Sequence, residues 1–425
     1  MRKIFVSIFA LLAVFSVSAA DPMATSYTWA QCRGSLMPYP AEINPAVYPD
    51  SLVPVFINHV GRHGARYPAS ASNCNKLAAW LSRADSIGTI TPAGRRLRQL
   101  NDIVINRSKG QWGALDSLGM AEQRSIATRL FYNFGEVFSK ADGGSTVTAI
   151  SSYSPRCMMS MFSFLHQLDR MDNRINFSIL AGRVNSALMR PFDINNDYLE
   201  FRRENVWKPA YDEYYDQACP TAPARHLLGE RYPFAGEAEQ REISLTAYYV
   251  VAGCAAMSVD CDPSTYFSLD EYNALWSCFN MRQYLQRTAT TVSSVPADIA
   301  SDLLLDLIST TETFIAGTNP AVACFRFGHA ETLMPLLSLM RLRGCYYMTN
   351  YFDTVGLHWR DFDVVPMASN LQMILFRAKG SGRYYLRVDL NEQPLPLQPN
   401  SSEIYTPWSE ARLYLTRCLP IDKQI

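Results

Sequence analysis

Short apolar runs, broken by polar turns and interleaved with amphipathic stretches, set the first expectation for this chain. Val53-Pro54-Val55-Phe56-Ile57 and Ala321-Val322-Ala323-Cys324-Phe325 are compact β-type runs, and Val147-Thr148-Ala149-Ile150 is a shorter one. Leu371-Gln372-Met373-Ile374-Leu375-Phe376 and Tyr384-Tyr385-Leu386-Arg387-Val388 flank Lys379-Gly380-Ser381-Gly382, a spacing that predicts a hairpin. Helical spacing appears elsewhere. Thr91 is placed as N-cap and Pro92 as first residue of a helix running through Leu100. Residues 118–138 repeat apolar side chains at Ile126, Leu130, Phe134 and Val137, and residues 157–168 and 300–316 also read as helices.

The pattern changes between residues 171 and 283. Tyr, Trp, Asp and Glu dominate, as in Tyr211-Asp212-Glu213-Tyr214-Tyr215-Asp216, and strand signals are sparse. The expected organisation is an α/β core formed by residues 21–170 and 300–425, with residues 171–299 as a mostly helical insertion. At the N-terminus, Arg2 and Lys3 precede an apolar segment over residues 4–17, followed by Ser18-Ala19-Ala20. That is the layout of an export signal over residues 1–20, too short for a membrane-spanning helix. Cleavage is expected near Ala19 or Ala20, and the destination is periplasmic or secreted.

Composition narrows the chemistry. Lys plus Arg and Asp plus Glu each number 39. That balance argues against nucleic-acid binding, so an anionic small molecule must be drawn by a local pocket. Export exposes the ten cysteines to oxidation, so disulfides are expected, and Cys254, Cys261 and Cys278 form a candidate local group. Cys324, inside an apolar run, is equally a free core thiol. No CxxC pair and no Cys/His spacing suited to zinc is present, so no metal is inferred. No later segment is long and apolar enough to span a bilayer, and no cofactor or obligate protein partner is inferred.

The chemistry-bearing residues follow two of the β-type runs. Arg62-His63-Gly64-Ala65-Arg66-Tyr67-Pro68 comes after the first and Phe327-Gly328-His329-Ala330-Glu331-Thr332 after the second. Arginines fork onto phosphoryl oxygens, and an imidazole can attack phosphorus. Arg156 follows a short strand and a Ser/Pro turn, a further guanidinium where ligands of α/β folds gather. Each has a plainer reading: a surface or core histidine beside ordinary arginines, a solvated loop charge at Arg156, and a carboxylate answering a helix dipole at Glu331. His59 and His63 would share a helix face as metal ligands do, but Gly61, Gly64 and the preceding strand oppose that.

Together these residues resemble the histidine phosphatase superfamily in its acid-phosphatase branch. Residues 62–68 match the RHGxRxP signature, and Gly113-Ala114-Leu115-Asp116-Ser117-Leu118-Gly119-Met120 is similar to the GxLTxxGM segment, with Asp116 where threonine is usual. Ser152 through Arg156 to Ser160 resembles the segment carrying a further pocket arginine. The distal motif is His-Ala-Glu instead of His-Asp, which is similar to the multiple inositol-polyphosphate phosphatases, as are Asn58-His59-Val60 and Leu188-Met189-Arg190-Pro191-Phe192-Asp193. The resemblance spans most of the chain. It implies a central mixed sheet with helices on both faces and a smaller helical cap. It also implies hydrolysis of phosphate from inositol hexakisphosphate and lower inositol polyphosphates through a phosphohistidine. His63 is then the nucleophile, Arg62, Arg66, Arg156 and His329 bind phosphate, and Glu331 donates the proton. Among further cations, His59, Arg183 and Arg190 are the leading candidates to read the substrate, with Lys76, Arg202, Arg203 and Lys208 behind them. A broad-specificity acid phosphatase and a non-catalytic phospholigand binder remain as alternatives.

Overall fold

The computed structural model describes residues 27–43, 47–139 and 145–424, so the expected export signal lies outside the described residues. Among the described residues, eight strands form one mixed sheet: β1 Leu52–Arg62, β2 Thr146–Ser151, β3 Asn176–Ala181, β4 Ala321–Gly328, β5 Asn370–Ala378, β6 Tyr384–Leu390, β7 Gln393–Leu395 and β8 Thr406–Pro407. Their order is β3-β2-β4-β1-β5-β6-β7, with β8 beside β6. The β3-β2-β4-β1 half is parallel and the rest antiparallel. β4 is buried along its whole length, as a central parallel strand covered on both faces must be. The expected hairpin is present, with Arg377 opposite Tyr384.

Strand alternation sends side chains to two hydrophobic clusters, one on each face. Phe56 and Leu375 join Leu304, Leu307, Leu333 and Leu337 on one side. Ile57, Ile374 and Phe376 join Ile126, Leu130, Phe164 and Leu165 on the other. The sheet therefore carries helices on both faces, as expected.

The helical part is assembled differently from a single insertion. Helices Ser72–Ser86 and Pro92–Ser108, expected in the core, contribute Leu77, Leu81, Leu97 and Val104 to a third cluster. Their partners there include Leu227, Ile243, Tyr248, Leu275 and Trp276, from helices Ala222–Leu228, Glu237–Gly253 and Leu269–Arg287. Conversely, residues 176–181, expected inside the helical insertion, form β3, which pairs with β2 at the sheet edge. Met189, Tyr198 and Phe201 also pack with the sheet-side cluster. The range 171–299 thus begins in the sheet, and the helical layer draws on two stretches of chain.

Candidate active site

The parallel pairing of β1 with β4 is what brings the two histidines together. Arg62 lies opposite Gly328, so His63 and His329 leave adjacent strands at the same level. The His63 amide donates to the Gly328 carbonyl at 3.0 Å, and the two imidazole centroids are 5.6 Å apart. β2 ends beside them: the Ser152 amide donates to the Phe327 carbonyl at 3.1 Å. The chain then enters the helix Pro155–Met171, whose N1 proline and second residue are Pro155 and Arg156. His329 caps the helix Ala330–Leu339, which places Glu331 in the first turn where the dipole favours a carboxylate.

Arg62, His63, Arg66, Arg156 and Glu331 line one cavity of about 310 Å³. The same cavity is also lined by Leu36, Tyr249, Val250, Phe279 and Gln283. Arg62 donates through Nη1 to the carbonyls of Ser35 at 2.7 Å and Val365 at 2.5 Å, and Arg66 donates to the Tyr67 carbonyl at 2.8 Å. The Nε groups of Arg62, Arg66 and Arg156 are buried without a partner in the protein. Burial, and then the neighbouring Arg156 and Arg62, lower the Arg66 guanidinium to about 9. Three guanidiniums against the single cavity carboxylate of Glu331, with spare donors, suit an anion with several acceptor oxygens.

His63 is 2 % exposed. Burial first, then Arg62, Arg156, Arg66 and His329, push its pKa well below the ordinary range, so it is a neutral imidazole. Its Nδ1 lies 2.9 Å from the Gly64 carbonyl, an acceptor, so the proton sits on Nδ1 and the Nε2 lone pair is left free. His329 is likewise lowered to about 3, chiefly by burial, with Glu331 opposing and Arg156 and Arg190 adding to the effect.

Glu331 sits under opposed influences. Burial raises it, but Arg287, then His329, its own backbone and Arg62 hold it at about 2. It is therefore an ionised carboxylate in the ligand-free chain. Arg287 approaches it at 3.5 Å and also bonds the Tyr198 hydroxyl.

The loop carrying residues 62–66 is held from behind by the helix Ser117–Phe134. Glu122 accepts from the amides of Ala65 at 2.7 Å and Tyr39 at 2.8 Å, and Gln123 donates to the Arg62 carbonyl at 2.9 Å. Ser160 accepts from the Gly64 amide at 3.1 Å. A Cβ on Gly64 would meet the Gly119 carbonyl oxygen at 2.4 Å, and one on Gly119 would meet the Ala65 carbonyl oxygen at 2.2 Å. The two glycines let loop and helix touch backbone to backbone. Asp116, where threonine is usual, is that helix's N-cap and accepts from the Leu118 amide at 2.9 Å, so the exchange keeps a capping oxygen.

The candidate substrate readers separate. His59 is removed from the set: it is buried among Phe164, Phe325 and Phe327 with neither ring nitrogen partnered, and does not line the cavity. A Cβ at Gly61 would lie 2.6 Å from His59 Cε1, so that glycine makes room for this ring. Arg183 is exposed, with its guanidinium 4.2 Å from the Tyr153 ring centre. Arg190 touches His329 directly. Lys76 pairs with Glu242, Arg202 with Gln286, Arg203 with Glu200 and Lys208 with Asp212. Sequence reading missed Arg287, Glu122 and Gln123, whose importance depends on contacts with residues 44, 57 and 61 positions away.

The cysteines are all free thiols, among them Cys254 beside Cys261 and Cys219 beside Cys278, so no disulfide joins the expected group. Among the described residues, no group of His, Cys, Asp and Glu could hold a metal, and no helix is long and apolar enough to cross a membrane.

The central mixed sheet with helices on both faces matches the histidine acid phosphatase fold. No family sequence model matches the chain. It is 25 % identical to multiple inositol polyphosphate phosphatase 1 of Homo sapiens, over 83 % of this chain and 77 % of that one. It is 23 % identical to the Gallus gallus protein of the same name, over 95 % and 91 %. Among solved structures, the Bifidobacterium longum multiple inositol polyphosphate phosphatase in complex with inositol hexasulfate superposes with a TM-score of 0.78 at 17 % identity, covering 93 % of this chain and 98 % of that one. A phytase from D. castellii gives 0.70 at 15 %, over 96 % and 91 %. The resemblance carried by the motifs thus holds in sequence and in fold: the chain is akin to multiple inositol polyphosphate phosphatases and histidine acid phytases.

Proposed function

We propose that this chain is a phosphomonoester hydrolase acting on inositol hexakisphosphate and lower inositol polyphosphates. The observation that carries the reading is a neutral His63 in one cavity with three arginines that have unpartnered donors, the second strand-end imidazole, His329, standing 5.6 Å from it. His63 Nε2 attacks phosphorus, and the P–O bond to the inositol breaks as the N–P bond forms. Arg62, Arg66, Arg156 and His329 donate to the non-bridging oxygens, where charge must be held during transfer. Glu331 gives a proton to the departing alkoxide, then takes one from the water that hydrolyses the phosphohistidine. Because Glu331 is ionised without ligand, it must gain its proton as an anion enters and offsets the surrounding cations. The substrate class rests on the kinship with the inositol polyphosphate phosphatases and on the inositol hexasulfate bound by the B. longum protein. The N-terminal signal pattern supports an exported, periplasmic or secreted enzyme.

The test is phosphate release from inositol hexakisphosphate, with EDTA present, by the wild type and by His63→Ala. Release by the wild type and its loss in the variant is the expected result. A folded wild type that releases none would overturn the substrate assignment. The apolar wall of Leu36, Val250, Phe279 and Met367 favours a second reading, hydrolysis of small phosphomonoesters with apolar leaving groups. A higher kcat/KM on p-nitrophenyl phosphate than on inositol hexakisphosphate would select it.

A further inference from the structure

Arg190 belongs by sequence to the candidate substrate readers, but its contacts assign it elsewhere. Its Nη1 lies 2.6 Å from His329 Nε2, and its Nε donates to Asp193 Oδ2 at 2.6 Å. The guanidinium stands 4.8 Å from the ring centres of both Tyr153 and Phe192. Neither Arg190 nor His329 is among the residues lining the cavity, whereas Arg156 and Glu331 are, so Arg190 stands behind His329 and not beside the cavity's own cations.

A guanidinium has only donors, so the ring nitrogen facing Arg190 must carry the lone pair. Neutral imidazole has one lone pair and one N–H, and the proton therefore falls on Nδ1. Arg156 Nη2 sits 3.2 Å from that same Nδ1. The opposite tautomer would set two donors against each other at 2.6 Å, which is worse than the 3.2 Å opposition that remains. The remaining opposition has a ready solution: an anionic oxygen that accepts from both.

We infer that Arg190 is a positioning residue that fixes His329 as its Nδ1–H tautomer, so that this N–H and Arg156 converge on one phosphoryl oxygen. The inference rests on the proposed phosphatase reading. Asp193 and the two aromatic rings hold the guanidinium in place, and Ser152 Oγ, 3.2 Å from Nε2, lies on the same side as Arg190. The arrangement serves any phosphomonoester, because it acts on the transferred group and not on distant phosphates.

The test pairs a spectrum with kinetics. In histidine-¹⁵N-labelled protein at pH 7, with His329 assigned by a His329→Gln variant, the wild type should show protonated Nδ1 and bare Nε2. Arg190→Met should lose that preference. Its kcat should fall on p-nitrophenyl phosphate and on inositol hexakisphosphate alike, by roughly 10²-fold, the order lost with one oriented donor. Arg190→Lys should recover part of both. Should Arg190→Met not fold, Asp193→Asn, which loosens the same guanidinium, should lower both activities in parallel. Two results overturn the inference: a protonated Nε2 in the wild type, or a KM increase confined to inositol hexakisphosphate with p-nitrophenyl phosphate turnover intact. The spectrum is read without turnover, so an inactive wild type would sink the phosphatase reading while the tautomer is still determined.

Discussion

Arg287 reaches Glu331 across 3.5 Å, joining the end of the helix Leu269–Arg287 to the first turn after His329. Its cation is the largest influence holding the carboxylate down against burial. An acid works only while protonated, so activity on a poor leaving group falls as pH rises through its pKa in the complex. Removing the cation raises that pKa. In Arg287→Met the alkaline limb of the kcat–pH profile on inositol hexakisphosphate should therefore move to higher pH. An unmoved limb would show that Arg287 does not govern the proton donor.

Glu331→Gln separates the two halves of the reaction. Without the acid, expulsion of an inositol alkoxide should slow by about 10² to 10⁴-fold. p-Nitrophenolate leaves without help, so its first turnover should survive while dephosphorylation of His63 lags. A burst of p-nitrophenolate followed by a slow phase, seen by stopped flow, is the expected trace. Equal losses on both substrates with no burst would remove Glu331 from both proton transfers.

Gly64→Ala should displace the loop that carries His63 and Arg66. The new Cβ would stand 2.4 Å from a backbone oxygen, which has no flexible end to swing away. Overpacking of this kind costs about 1–3 kcal/mol. A lower melting temperature and reduced kcat are expected together, and calorimetry beside a phosphate assay would check both.

Glu122 links the same loop to solution pH. Burial raises its carboxyl from 4.5 to about 7, despite the two amides it accepts from. The folded state then holds its proton more tightly than the unfolded state. The stabilising contribution is complete below 4.5 and is lost as pH rises through about 7. Glu122→Gln should flatten this part of the melting temperature's pH dependence, while lowering stability at acidic pH because one amide acceptor becomes a donor. Parallel slopes in the two proteins between those pH values would refute the assignment.

Residues close in sequence were the readable ones. Thr91 and Pro92 do begin a helix, and the Gly94 amide donates to Thr91 Oγ1 at 3.0 Å, a contact three residues long. The two histidine motifs were visible because each is contiguous and follows an apolar run. Their adjacency needed the register of β1 on β4, separated by more than 260 residues, which periodicity does not encode. β3 escaped because an edge strand with exposed Ile179 and Leu180 lacks the alternation of a half-buried strand. His59 misled because a cation-forming side chain near a phosphate motif suggests a ligand contact, while β1 alternation directs it into an aromatic box. Arg190 does reach the site, through its contact with His329, which no local pattern in the sequence specifies.

The cavity has a floor and a roof of separate ancestry in the chain. The floor is set by where β1, β2 and β4 stop, and its members answer to strand register. The roof, including Tyr249, Val250, Phe279 and Gln283, hangs from two helices whose packing belongs largely to another hydrophobic cluster. Substitutions on these two helices can therefore reshape or recharge the cavity without disturbing the strand ends that carry His63 and His329. Such a molecule can change its diet and keep its teeth.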